Sequence, residues 1–309
     1  VGSEQEFRSY GSILGGEHNA ANGPFSDVFG SSNRAILGAE AASIAGGNNN
    51  HANGPEASVS GGVNNAASGI GASVSGGSND TASGESSSVS GGRENKALGG
   101  YSSVTGGEAN RAEGPKGASV SGGAANIAIS STLALGGDPA VSGGYANTAS
   151  GEFASSVSGG AQNNAAGFAA WIGGGEKNTA ESFYSATVGG HENKANGEGA
   201  AITGGAFNLA TAKWSSVSGG EHNSTTSSQA AWIGGGAGNE ARGHVSSVSG
   251  GEANKALGEY SSILGGDENS ANGSRATVSG GLLNAANGED CSILGSEKVV
   301  GETRLCHIP

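Results

Sequence analysis

The sequence predicts an all-β chain, folded as one single-chain parallel β-solenoid of about 20 coils over residues 1–309. Three observations predict it. An apolar anchor, mostly valine or isoleucine, recurs along the chain just before a Gly-Gly pair, at steps of 15 and in a few places 16 residues. Two stretches within each unit alternate with a period of two, as strands require. Glycine recurs too often within each unit for a helix to survive.

The period emerges when the Gly-Gly pairs are aligned. Rows such as "ASVSGGVNNAASGIG" (57–71) and "SSVSGGRENKALGGY" (87–101) reduce to S-S-V-S-G-G-x-x-N-x-A-x-G-x-x. The anchors run from Ile13, Val28 and Ile44 to Val120, and resume from Val157 to Ile293. In the first strand the residue two before the anchor, the anchor and the first Gly are expected to face inward. In the second strand Asn, Ala and Gly are expected to do so. Turns at Gly-x-x join the strands, and each strand pairs with its equivalent one coil above and below. The row two before the anchor (Gly11, Ser26, Ala42, Ala57 through Ser261 and Ala276) is small throughout. So is the opposing row, Ala66 or Ala67 through Ala256 and Ala271. A β-branched anchor against small residues predicts a thin, packed interior with no ligand cavity.

A near-continuous asparagine row (Asn19, Asn65, Asn95, Asn110, Asn126, then Asn163 through Asn284) reads as a structural ladder rather than a ligand comb. Stacked amides can bond along the axis and satisfy the backbone of the turn. Two blocks depart from the period, residues 25–40 and 127–147. In the second, the Gly-Gly spacing suggests a missing or looped half-coil near Asp138-Pro139.

With 62 glycines and few large apolar residues, this composition without a period would indicate disorder. The balance of 14 basic against 27 acidic residues leaves a net charge of −13, which argues against nucleic acid as a partner. No apolar run reaches the roughly 20 residues that span a bilayer, so the chain is expected not to be membrane-spanning. The absence of Met predicts processing by removal of an export signal, hence an extracellular or cell-surface location.

The repeat resembles the head domains of YadA-type trimeric autotransporter adhesins, on segments such as Ser88-Val89-Ser90-Gly91-Gly92 and Asn95-Lys96-Ala97-Leu98-Gly99. The resemblance implies a left-handed parallel β-roll, a surface location and an adhesive or structural role. The chain shows no heptad stalk, neck or alternating barrel segment of the kind those adhesins use for trimerisation and anchoring.

No catalytic, cofactor-binding or metal-ligating set emerges. His18, His191 and His222 fall in turns many coils apart, and the acidic residues at the same turn (Glu17, Glu108, Glu176, Glu221, Glu252, Asp267) lie near cations such as Arg111 and Lys255. They read as a mixed-charge solubilising edge rather than calcium sites. Glycine-rich segments recur every coil instead of opening a helix, which rules out a phosphate loop. The chain is expected not to be an enzyme and to need no cofactor.

Surface expectations concern self-association. Serines flank the anchors (Ser58 and Ser60, Ser73 and Ser75, Ser247 and Ser249), a ladder that would suit ice binding or the close approach of another chain. Trp171 and Trp232 interrupt it. Tyr10, Phe25, Tyr101, Tyr184, Trp214 and Tyr260 all lie three residues before an anchor. Such aromatics can be local covers or lateral contacts between rods, and Tyr10, Tyr101, Trp171, Trp214, Trp232 and Tyr260 are the candidates for contact.

Cys291 and Cys306, the only cysteines, occupy the same inward slot one coil apart, a spacing of about 4.8 Å that permits a disulfide stapling the coil 291–309. Two buried free thiols are the alternative. The chain opens in the second half of a coil (Val1, Gly2, Glu4, Glu6, Arg8) and closes in the first half of one (Cys306, His307, Ile308, Pro309). The expectation is therefore an extracellular structural protein whose partner is itself. Subunits would be rods on the order of 95 Å long, stacking head to tail into a filament with each junction completing one coil. A trimeric surface adhesin head, contacting host or environmental surfaces, and an ice-binding solenoid are the alternatives.

Overall fold

The computed structural model describes residues 5–8 (Phe7 by its backbone only), 10–130, 138–226 and 229–309. These residues form a parallel β-solenoid of about 19 turns with 15-residue spacing, close to the expected 20, and no helix occurs among them.

Each coil carries two strands of two or three residues. In the coil 57–71 the anchor strand is Ser58–Val59 and the alanine strand Ala66–Ala67. Each pairs in parallel with its equivalent one coil on, Ser58 with Ser73 and Ala66 with Thr81. The strand bonds run between coils: Ser58 N–H to Ala72 O at 2.9 Å, Ser60 N–H to Val74 O at 3.0 Å, Ala66 N–H to Asp80 O at 2.8 Å. A single-residue bridge, Val63 to Ser78, adds a third ladder after the Gly-Gly pair.

The strands are short because the corners consume left-handed residues. In this coil Gly62 (φ 89°), Asn64 (φ 56°) and Gly71 (φ 63°) turn the chain. The last two positions recur along the array as non-glycine residues with positive φ, including Tyr101, Trp214 and the β-branched Val245. An L-residue there costs roughly 1–2 kcal/mol, so the ladders on either side must hold each corner in place.

Five inward positions make the interior, seen at Ala57, Val59, Asn65, Ala67 and Gly69. Anchors such as Val59, Val74 and Ile172 are essentially inaccessible, each contributing about 1.5–3 kcal/mol of apolar burial. The first glycine of the pair does not face inward as expected. A Cβ on Gly61, Gly76 or Gly219 would meet nothing within 4 Å. The second glycine is the confined one: a Cβ on Gly77 would meet Gly92 O at 2.5 Å. The chain has already begun to turn outward after the anchor, so the two-residue alternation ends one residue earlier than the pattern implied.

The chain falls into two compact units, residues 1–160 and 161–309. In the first, anchor strands run from Ser12–Ile13 to Ser156–Val157 and alanine strands from Glu6–Phe7 to Thr148–Ala149. Both irregular blocks lie here. Around 25–40 the arc after Val28 is short, and Ile36, Leu37 and Gly38 (φ 97°) swell the next corner before buried Ala39 restores register. In the block 127–147 no half-coil is missing. Val141 is a buried anchor, paired with Val120 before it and Val157 after it. Asn147 N–H bonds to Asn126 Oδ1 at 2.9 Å across 21 residues, so this coil is complete and carries an insertion. The extra residues fall between Ser130 and Asp138, and 131–137 lie outside the described residues. In the second unit the coils follow one another from Asn164–Ala165 to His307–Ile308 with no larger departure than one added residue.

Candidate interaction surfaces

The asparagine row is buried and closed to ligands. Each member repeats one set of bonds: Asn208 Nδ2 donates to Gly204 O at 3.0 Å and Gly220 O at 2.9 Å, while its Oδ1 accepts the Asn223 N–H at 3.0 Å. The amides thus bond to the backbone of their own coil and of the coil that follows, stitching one Gly-Gly corner to the next; amide-to-amide stacking is secondary, as from Asn284 Nδ2 to Asn269 Oδ1 at 3.0 Å. The row also takes in Asn33, Asn50 and Asn147, and in one coil Asp80, none of which stood out in the aligned rows. Asp80 Oδ1 accepts the Asn95 N–H at 2.8 Å, but its Oδ2 is buried without a hydrogen-bond partner. Burial pushes its carboxyl above the ordinary range, against the smaller opposing effect of its bonds to Asn95 and Ser78.

The charged residues of the turns face solvent, and several pair locally. Arg93 meets Glu108 one coil on, Lys177 meets Glu192 at 3.3 Å, and His191 lies between Glu176 (3.5 Å) and Glu192 (3.4 Å). Arg111 pairs with Glu113. Arg275 bridges Glu289 and Asp290 of the next coil, and its guanidinium holds the Asp290 carboxyl below the usual range. Half-buried His51 stands in register with Arg34 on the alanine strand; burial, then the Arg34 charge, lowers its pKa. Among the described residues no group of three or more His, Cys, Asp or Glu side chains could hold a metal ion. Shallow open furrows recur beside the alanine strand, one lined by Glu94, Lys96, Arg111 and Ile127, another by Glu192, Lys194, Phe207 and His222.

Of the candidate junction residues, Val1, Gly2 and Glu4 lie outside the described residues. Glu6 opens the first alanine strand, in register with Ala20, and Arg8 N–H bonds to Ala21 O at 3.1 Å. His307 and Ile308 pair with Ser292 and Ile293, and Pro309 O accepts the Ser296 hydroxyl at 2.7 Å. Cys291 and Cys306 form a disulfide, with Cα atoms 4.4 Å apart. Gly301 stands against both sulfurs, at the position where other coils carry a buried Ala such as Ala271 or Ala286. The sulfurs fill the space of that missing methyl, a compensation visible in the sequence as the one glycine in an alanine row.

The aromatic candidates are all surface residues. Tyr10 stacks on Phe25 at 5.2 Å, Tyr260 packs edge-on against His244 at 5.6 Å, and the Tyr101 hydroxyl lies 3.5 Å from Glu85. In the second unit Phe168 stacks on Phe183 at 5.3 Å, with Tyr184 edge-on at 5.8 Å. The rows three before an anchor occupy left-handed corners, whereas Trp171 and Trp232 stand on the outward side of the anchor strand. No family model matches the chain, and no curated protein matches it. No helix among the described residues is long and apolar enough to cross a membrane.

Proposed function

We propose that this chain is an extracellular structural protein that self-associates, coil on coil, into filaments. The observation that carries this reading is the recurrence of one bond set from coil to coil within each unit. Both backbone ladders and the asparagine ladder repeat from coil to coil, as from Asn193 to Asn208 and from Asn208 to Asn223. A coil without a neighbour therefore leaves strand donors and acceptors and one asparagine amide unmet. Such an edge is a template for another chain, and joining unlike ends of identical subunits gives an open filament. The disulfide fits an oxidising compartment.

Electron microscopy of the purified mature protein over a range of concentrations tests the reading. Growth in length beyond a single chain is expected, with coil spacing of about 4.8 Å continuous across subunit boundaries. Single particles at every concentration would overturn it. Discrete three-chain particles without axial growth would replace it with the adhesin-head reading.

A further inference from the structure

All three tryptophans of the chain lie in the unit 161–309, and each is laid against a glycine. A Cβ on Gly173 would stand 3.2 Å from the Cη2 and Cζ2 atoms of Trp171, and one on Gly234 would stand 3.1 Å from the same atoms of Trp232. A Cβ on Gly199 would collide with the six-membered ring of Trp214, one coil on. Each indole is thus settled on backbone, yet Trp171 and Trp232 are each 39% exposed and Trp214 is 51% exposed. Side chains that served only to cover glycines would not need this much area left in water.

Trp171 and Trp232 occur in the same five-residue phrase, Trp-Ile-Gly-Gly-Gly, and in the same position of the coil. Four coil steps separate them, about 19 Å along the axis. The outward residues of the three anchor strands between them are Ala186, Val188, Ala201, Thr203, Ser216 and Ser218. None is charged and none is larger than valine, on a chain whose net charge is −13. The result is a neutral, hydroxyl-bearing strip with an indole at each end. Trp214 and Tyr184 stand on the corner that leads into it.

The chemistry that matches is a neutral polymer with alternating apolar faces and hydroxyl edges. A pyranose ring presents axial C–H bonds on its faces, which the negative face of an aromatic ring attracts. Its equatorial hydroxyls can meet Thr203, Ser216 and Ser218. A strip that runs about 19 Å along the coil axis suits an extended chain, because a small molecule would need a concave site. Single-stranded nucleic acid also stacks on aromatics, but it requires a basic groove that this strip lacks. We propose that the strip from Trp171 to Trp232 binds an extended, neutral, pyranose polysaccharide lying along the coil axis. The proposal is independent of filament formation, since the strip lies wholly within one unit.

The test is retention of the purified protein on microcrystalline cellulose and on chitin, alongside a Trp171→Ser/Trp232→Ser double variant. Serine is the residue that neighbouring coils carry at this position (Ser216, Ser247), so the variant should keep its strands, which circular dichroism checks. Tyr101→Ser, in the other unit, is the control. Retention of the wild type and the control on either polymer is expected, with the double variant weakened at least about 10-fold from the loss of two stacking contacts. Absence of wild-type retention on both polymers would overturn the proposal, as would equal retention of a folded double variant. If the wild type is not retained and the double variant instead loses self-association, the strip is an interface between copies of this chain and the proposal fails.

Discussion

At the scale of single residues, Asp80 shows what the asparagine ladder demands. By register, its Oδ2 occupies the place where an asparagine would donate to Gly76 O and Gly92 O, as Asn65 does to Gly61 O and Gly77 O. An ionised carboxylate there faces acceptors with nothing to give them. The coil before presents uncharged Asn64, Asn65 and Ala66, and the coil after presents Glu94 and Lys96 with their side chains in solvent. Burial therefore dominates and raises the Asp80 pKa. A raised acid binds its proton more readily in the folded than in the unfolded state, so its penalty is absent below the ordinary value of 3.8. The penalty grows as pH climbs from there through the raised folded value, and is full above it. Asp80→Asn should stabilise the protein at neutral pH by about 1–3 kcal/mol by supplying the missing donors. Urea midpoints of both proteins over a pH series would show this gain shrinking on acidification, and a gain that stayed constant with pH would refute the protonation argument.

At the scale of the coil, the two glycines of each pair have different jobs. Gly219 has open space where a Cβ would go, whereas one on Gly220 (φ 83°) would meet Asn223 Nδ2 at 2.6 Å and Gly236 backbone in the next coil. Gly220→Ala should destabilise by at least about 2–3 kcal/mol, through left-handed strain and a broken ladder bond. Gly219→Ala should stay within about 1 kcal/mol of wild type, and equal losses in thermal melts would contradict this account. The sequence shows the pair but not its asymmetry, because both glycines recur with equal regularity. What could be read in advance was the periodic framework: parallel coils, anchors, the small inward rows and the slot shared by Cys291 and Cys306. What could not was whatever broke the period, or recurred in the backbone without recurring in residue type. Val141 escaped notice because an insertion places it 21 residues after Val120 instead of 15. The left-handed corners escaped because residues as unlike as Trp214, Arg275 and Asp290 occupy them, with φ of 57–58° imposed by the ladders rather than by local preference. The seating of the indoles on Gly173, Gly199 and Gly234 was equally hidden, since glycine there looks like one more repeat residue.

At the scale of the whole molecule, charge and hydrogen bonding would act in opposite senses on the proposed self-association. The coil-to-coil bonds are between neutral backbone and amide groups and depend little on ionic strength. The net charge of −13 repels every approaching copy, and this repulsion is screened over about 10 Å at 0.1 M salt. Assembly by coil stacking should therefore speed up severalfold as salt rises from about 0.01 M to about 0.15 M, the range over which the screening length falls most steeply towards the width of a contact. It should also quicken as pH falls towards the isoelectric point near 4.8. Association through cross-coil ion pairs, like that of Arg275 with Asp290, would respond to salt in the opposite direction. Light scattering followed at several salt concentrations separates the two cases: faster growth at higher salt belongs to stacking of neutral edges, and slower growth would mean that charged side chains, not the repeated coil, hold the subunits together.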